Sequence, residues 1–242
     1  MDSVIFDVDG TLWDSTGIVA EAWSDYLIHT EHMDTDVSAK RLMGLFGQLL
    51  PDIAKALFPE LPEAEQLRII DGCCQAEHEA LLRKCAPLYP DLEKTLKILS
   101  SRFPLFIVSN CQAGYIEVFL KSTGFGHYFK GHLCPGDTGM AKAENIMKIR
   151  EDNNLSDPVY IGDTIGDFMP AGKQEFLLSL LNTVSVRWIN RITGSPGLLT
   201  LRRYADEYEK IKIHRPYFRS DPENAFRACS SYHGIFPSWN CL

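Results

Sequence analysis

Apolar and polar positions change rhythm twice along the chain. Ser3–Val8 is a short apolar run rich in β-branched and aromatic side chains that stops at D-G-T, which predicts a buried strand ending in a turn. From Trp13 onward the rhythm becomes helical. Gly17–Trp23 begins one helix, Ser38–Leu50 forms a second and Pro62–Arg83 at least one more, with Pro51, Pro59 and Pro62 marking breaks. Residues 13–86 are therefore expected to be an all-helical insert.

Past Pro87 and Pro90 the rhythm alternates between strand and helix. Asp91 can cap a helix through Leu99, Leu105–Ser109 reads as a strand, and Ala113–Ser122 as a helix ended by Gly124. Gly131–Cys134 is a weaker strand, Ala141–Glu151 a helix and Val159–Gly162 a strand. Such alternation implies right-handed crossovers and an α/β fold with a doubly wound parallel sheet. Residues 1–12 and 87–173 would build this core around the small helical domain of residues 13–86. Ligands of such sheets lie beyond the carboxyl ends of the strands. The three most polar segments, D-V-D-G-T, S-N-C and G-D-T-I-G-D, all follow predicted strands.

Composition narrows the class. A chain of 242 residues with 45% hydrophobic and 11% aromatic residues is that of an ordinary globular protein of one or two domains. The formal net charge of -8 argues against a general nucleic-acid or anionic-membrane surface, which needs clustered Lys and Arg, and agrees with carboxylates gathered around a cation. No apolar stretch approaches a membrane span, and M-D-S-V-I-F-D lacks the regions of a signal peptide, so the chain reads as cytoplasmic. Seven cysteines, with Cys73 and Cys74 adjacent, suit thiols better than a disulfide framework or a zinc site. The histidines show no ligand spacing.

The chemistry concentrates at the predicted strand ends. Asp7 and Asp9 flank one residue, so by the two-residue period of a strand their side chains point the same way unless the backbone bends. Two such carboxylates repel, and a magnesium ion relieves the repulsion. Gly10 permits the tight turn that brings backbone N–H groups toward an anion, although D-G-T is also a common turn sequence with no further meaning. Asp163 and Asp167, around Gly162 and Gly166, form a second acidic cluster that could supply further oxygen ligands. Ser109 and Asn110 offer a hydroxyl and an amide to phosphate oxygens, or simply cap a helix. Lys142, at a helix start, suits a cation that balances a phosphate, or is a solvated helix lysine.

Taken together, D-V-D-G-T-L-W-D-S, V-S-N, Lys142 and G-D-T-I-G-D resemble the four ordered motifs of the haloacid dehalogenase superfamily, and the resemblance covers about residues 2 to 173. It implies that Asp7 attacks phosphorus, and that Asp9 protonates the leaving oxygen and then activates water. It also implies that Ser109 and Lys142 bind the phosphoryl group, with Thr11 and Asn110 as weaker partners. Asp163, Asp7 and the carbonyl of Asp9 would hold Mg2+, and Asp167 would be a ligand or support one. The dehalogenase branch lacks a carboxylate at the place of Asp9, so phosphoryl transfer is favoured over carbon-halogen cleavage. The insert resembles an α-helical cap that closes over the site, with Arg41 and the turn from Met43 to Gly47 as substrate-side or merely structural elements. The likeness is greatest to the phosphoglycolate phosphatase and β-phosphoglucomutase group, which implies a small phosphorylated metabolite as substrate and neither nucleic acid nor membrane as partner. A phosphosugar mutase and a non-catalytic binding homologue are the competing readings.

The tail breaks the pattern. Residues 1–173 carry 15 Lys and Arg against 26 Asp and Glu, whereas residues 174–242 carry 9 against 6, so the sign of the charge reverses. Read one nucleotide earlier with free choice of codons, Gln174–Ile189 can encode Ala-Gly-Ile-Pro-Phe-Val-Ala-Ala-Glu-Tyr-Gly-Phe-Gly-Gln-Val-Asp, and this string resembles the superfamily's usual last strand and loop. Residues 174–242 are accordingly expected to be a frameshift product that costs the sheet an edge strand and its covering helix, exposing apolar surface and a pairing edge. Its last segment, including His214 to Arg219, would then pack weakly. Resequencing the source gene across codons 174–189 checks this: a displaced reading frame is expected, and an uninterrupted one refutes it.

Overall fold

The computed structural model describes residues 1–162 together with the backbone of strand Asn182–Ser185. Strand β1, Ser3–Phe6, is followed by four helices, α1 Thr16–His29, α2 Ala39–Met43, α3 Leu50–Leu57 and α4 Glu63–Arg83. The core then resumes with α5 Leu92–Ser100, β2 Leu105–Val108, α6 Tyr115–Thr123, a 3-10 turn at Phe125–Tyr128, β3 Phe129–Leu133, α7 Pro135–Thr138, α8 Lys142–Asp152, β4 Pro158–Gly162 and β5 Asn182–Ser185. All strands pair in parallel in the order β3-β2-β1-β4-β5, with Phe6 opposite both Ile107 and Ile161. This is the doubly wound α/β sheet with a helical insertion that the sequence pattern predicts.

The strands are short, and β1, β2 and β4 are buried along their whole length, as sheets covered on both faces require. On one face Ile5, Phe106, Val108 and Tyr160 pack with Ile146 and Ile149 of α8. Each such side chain contributes about 1.5–3 kcal/mol by leaving water. Phe6 projects to meet the edge of Phe129 with ring centroids 6.2 Å apart.

Two links join the insertion to the core, and they run side by side. Asp14 N–H donates to Pro87 O at 2.9 Å, and Trp13 bridges Leu88 in antiparallel fashion. Trp13 is fully buried, with its ring edge-on to Phe119 at 5.0 Å. The insertion is thus hinged on an aromatic that belongs to the core.

Three local expectations are corrected. Ser38–Leu50 is not one helix: α2 stops at Met43, and Pro51 lies in the first turn of α3, where its missing N–H was never needed, so it starts a helix and does not break one. Asp91 stands before α5 but has a left-handed backbone (φ 59°) and makes no side-chain cap. The edge beside β4, expected to be empty, is occupied by Asn182–Ser185, whose Thr183 and Val184 are good strand formers facing an open row of backbone groups. The rest of the 174–242 tail lies outside the described residues.

Helix α4 carries Gly72 against Tyr26 of α1, and a Cβ there would overlap the phenol ring, whose hydroxyl is held by Glu31 at 2.6 Å. Gly72→Ala is therefore expected to lose about 1–3 kcal/mol by overpacking in spite of the better helix propensity of Ala. Urea unfolding measures this; an unchanged or higher midpoint would contradict it.

Candidate active site

Asp7 follows β1 directly and is almost wholly buried. Its Oδ1 accepts the N–H of Val8 at 2.9 Å, and its Oδ2 forms a 2.7 Å ion pair with Nζ of Lys142, the first residue of α8. The Lys142 ammonium also lies 5.3 Å from the centre of the Tyr160 ring on β4. A lysine read as a candidate phosphate cation therefore sits inside the sheet's carboxyl edge beside the candidate nucleophile.

The chain bends sharply after Asp7. The Val8 carbonyl accepts N–H groups from Thr11, Leu12 and Trp13, and Gly10 takes φ 73°. Strand periodicity does not reach Asp9, so its carboxyl acquires partners separate from those of Asp7. Oδ1 of Asp9 accepts from Trp13 Nε1 at 3.1 Å, Ser15 Oγ at 2.6 Å and Tyr115 Oη at 2.7 Å. Burial pushes the Asp9 carboxyl up to about 6, against the pull of the Ser15 and Tyr115 hydroxyls, and the charge of Asp7 adds to the rise. Burial, and then the charge of Asp9, hold the Tyr115 hydroxyl protonated, well above its ordinary range.

Ser109 directly follows β2 and is buried, as is Thr11, whose hydroxyl has no partner among the described residues. Asn110 is turned to the insertion, its Nδ2 donating to Gly47 O at 2.8 Å while its buried Oδ1 has no partner among the described residues. Of the other insert residues singled out in the sequence, Arg41 is tied to Ala56 O at 3.1 Å and Met43 is exposed. Asp163 and Asp167 lie outside the described residues. Strand β4 does run beside β1, with Gly162, its last residue, immediately before Asp163 in sequence. Asp7, Asp9, Ser109 and Lys142 are thus all carried by the carboxyl edge of the β1 and β2 strands or the start of α8.

Several residues of this region were not legible as site residues. Glu77 of α4 is a buried carboxylate that accepts from Trp23 Nε1 at 2.6 Å and from Gln112, whose amide also lies 3.0 Å from His78 Nε2. Burial, opposed by Gln112 and aided by the charge of Asp9, pushes Glu77 up to about 8. Gly136 of α7 packs so tightly on the backbone of Gln112 and Ala113 that no Cβ fits, and its N–H donates to Cys111 O at 3.1 Å. Helix periodicity alone hides such groups, since Glu77 falls among ordinary α4 positions and Tyr115 reads as one more aromatic of an apolar helix. Only Trp13 and Ser15 carried a signal, by standing within D-V-D-G-T-L-W-D-S.

The described site is thus a parallel sheet with a buried aspartate after its first strand, ion-paired to a lysine from a following helix. The chain belongs to the haloacid dehalogenase-like hydrolase family, which it matches over residues 4–176. It is 24% identical over 208 residues to the pyrophosphatase PpaX of Anoxybacillus flavithermus, covering 83% of this chain and 89% of that one. Among solved structures it is similar to a "predicted phosphoglycolate phosphatase" from Haemophilus somnus, with TM-score 0.61, 20% identity, and 76% of this chain and 84% of that one covered. It is likewise similar to a β-phosphoglucomutase from Clostridium difficile, with TM-score 0.58, 19% identity and 76% and 83% covered. These structural likenesses speak for the fold. No helix among the described residues is long and apolar enough to cross a membrane, and Cys73, Cys74, Cys85, Cys111 and Cys134 are free thiols.

The raised carboxyls give stability a definite pH dependence. Glu77 keeps its proton in the folded chain up to about 8, whereas the unfolded side chain releases it near 4.5. Between these values the folded state binds more protons, so stability present at low pH is lost as pH rises, by at most about 1.4 kcal/mol per unit from this group. Thermal melts from pH 5 to 8 are expected to decline steeply in the native chain and less so in Glu77→Gln; equal slopes would show that Glu77 is ionised in the fold.

Proposed function

We propose that this hydrolase is a magnesium-dependent phosphatase that cleaves a small phosphorylated metabolite through an aspartyl phosphate on Asp7. The observation that carries this reading is the placement of a buried carboxylate directly after β1 in contact with Lys142, with a second carboxyl, pushed by burial up to about 6, two residues on. Asp7 is the nucleophile. Asp9, held near neutrality as a proton carrier, gives its proton to the departing ester oxygen and takes one back from the water that cleaves the intermediate. Lys142 and Ser109 bind the equatorial oxygens, where charge spreads in the loose transition state. Asn110 and Thr11 support the same loop and turn.

The donor set suits a hard cation. The Asp7 carboxylate and the Asp9 backbone carbonyl stand at one bend, and Asp163, with Asp167 further along, continues directly from the neighbouring strand; these oxygens would hold magnesium. When bound, the ion would offset the negative charge of the phosphoryl group. Residues 13–86 act as the cap, whose Gly47 already touches Asn110 and which excludes water from the reaction. The name of the Anoxybacillus flavithermus relative makes pyrophosphate one compound to include among candidate substrates.

Incubation of the chain with a panel of small phosphate esters and pyrophosphate, with and without magnesium, tests this reading. Orthophosphate release is expected to stop after chelation and in Asp7→Asn, which should also lose the hydroxylamine-labile phosphoenzyme. Full activity without a divalent ion, or an aspartyl phosphate trapped on another residue, would overturn it, and isomerisation without phosphate release would indicate a mutase.

A further inference from the structure

The three hydrogen bonds to Asp9 all fall on one oxygen. Trp13 Nε1, Ser15 Oγ and Tyr115 Oη converge on Oδ1, while among the described residues Oδ2 accepts none. The donors come from two parts of the chain: Trp13 and Ser15 from the link between β1 and α1, Tyr115 from the start of α6. They are also fixed independently of Asp9, being almost wholly buried, with Tyr115 Oη 3.1 Å from Ser15 Oγ and the Tyr115 ring 6.0 Å from both Trp13 and His78. Gly114, with φ 84°, turns the chain into α6 so that Tyr115 is its first residue.

We infer that Tyr115 is a positioning residue for the proton-carrying step, closing with Ser15 and Trp13 a clamp that binds Oδ1 of Asp9 and leaves Oδ2 as the oxygen that exchanges protons with substrate and water. A carboxyl held on one side by three donors cannot turn over about its last side-chain bond without breaking them all, so the two oxygens have unequal tasks. In the first half-reaction the Oδ2 proton passes to the ester oxygen as its bond to phosphorus breaks and the bond from Asp7 to phosphorus forms. In the second, Oδ2 takes a proton from water as the water oxygen bonds to phosphorus and the Asp7 bond breaks. The clamp acts through Asp9 and touches no reacting atom. This inference rests on the reading of Asp9 as the proton carrier.

The test compares kcat/KM for phenyl phosphate, whose leaving group needs a proton, with that for 4-nitrophenyl phosphate, whose leaving group needs little help. Tyr115→Phe keeps the ring and its packing but removes the donor. It is expected to lower kcat/KM for phenyl phosphate by roughly 10- to 100-fold and for the nitrophenyl ester by less than about 3-fold. Asp9→Asn should show the same bias more strongly, with the double variant no worse than Asp9→Asn. Equal losses on both esters in Tyr115→Phe, with the bias intact in Asp9→Asn, would overturn the clamp alone. Absence of the bias in Asp9→Asn would overturn the role of Asp9 beneath it. A second readout needs no turnover: the indole N–H resonance of Trp13, assigned by Trp13→Phe in the full chain, should shift in both Asp9→Asn and Tyr115→Phe. A resonance unmoved in Tyr115→Phe would show that the donors do not share the carboxylate, and the proposal would fall.

Discussion

The ion pair between Asp7 and Lys142 is the contact on which the rest of the site depends. Withdrawing both charges from water costs several kcal/mol per ion, and it is tolerated here because the two groups are 2.7 Å apart and Asp7 has a further partner in the Val8 N–H. The pair joins residues 135 positions apart, so the start of α8 must lie over the end of β1. Ile146 and Ile149 of α8 and Ile5, Phe106 and Tyr160 of the sheet hold it there by apolar burial. Removing one partner would take from the other its 2.7 Å counter-charge. The hydrophobic core thereby offsets the cost of burying the pair.

The loop that follows β2 is constrained from three sides around Ser109. Asn110 is bonded to Gly47 of the helical insertion, Gln112 to Glu77 of the same insertion, and the backbone at Gln112 and Ala113 is pressed by Gly136 of α7. The insertion and the core thus meet on the loop that carries Ser109. Movement of the insertion about the paired links at Trp13 and Leu88 would be felt at Ser109 through these contacts. Glu77 is an unusual choice for such a contact, since its burial disfavours the charged form that binds Gln112 and Trp23 best. The same burial removes a negative charge from the neighbourhood of Asp9.

Much of this was legible in the residue pattern. The apolar run before Asp7, the alternation after Pro90 and the polar clusters after each strand identified a doubly wound sheet and the polar edge at its strand ends, because strand burial and crossover geometry are written in local periodicity. Asp7, Ser109 and Lys142 stood out because their residue types suit phosphate chemistry at strand and helix ends. Errors arose where local signals are weak. Pro51 reads as a break or as a first-turn residue, and only the course of the backbone distinguishes the two. Asp91 has the residue type of a cap but lies in a left-handed turn that directs it elsewhere.

By itself the sequence determined the order of elements, the helical insertion between β1 and α5, and which residue types arrive at the carboxyl edge, since each follows from side-chain chemistry within a few positions along the chain. The tertiary structure alone decided which of those residues meet. It separated the partners of Asp7 from those of Asp9 by a bend that period-two reasoning does not foresee. It brought Tyr115 across 106 positions to the Asp9 carboxyl, and buried Glu77 between Trp23 and Gln112. These are long-range contacts whose geometry depends on how the core packs, and no local pattern encodes them.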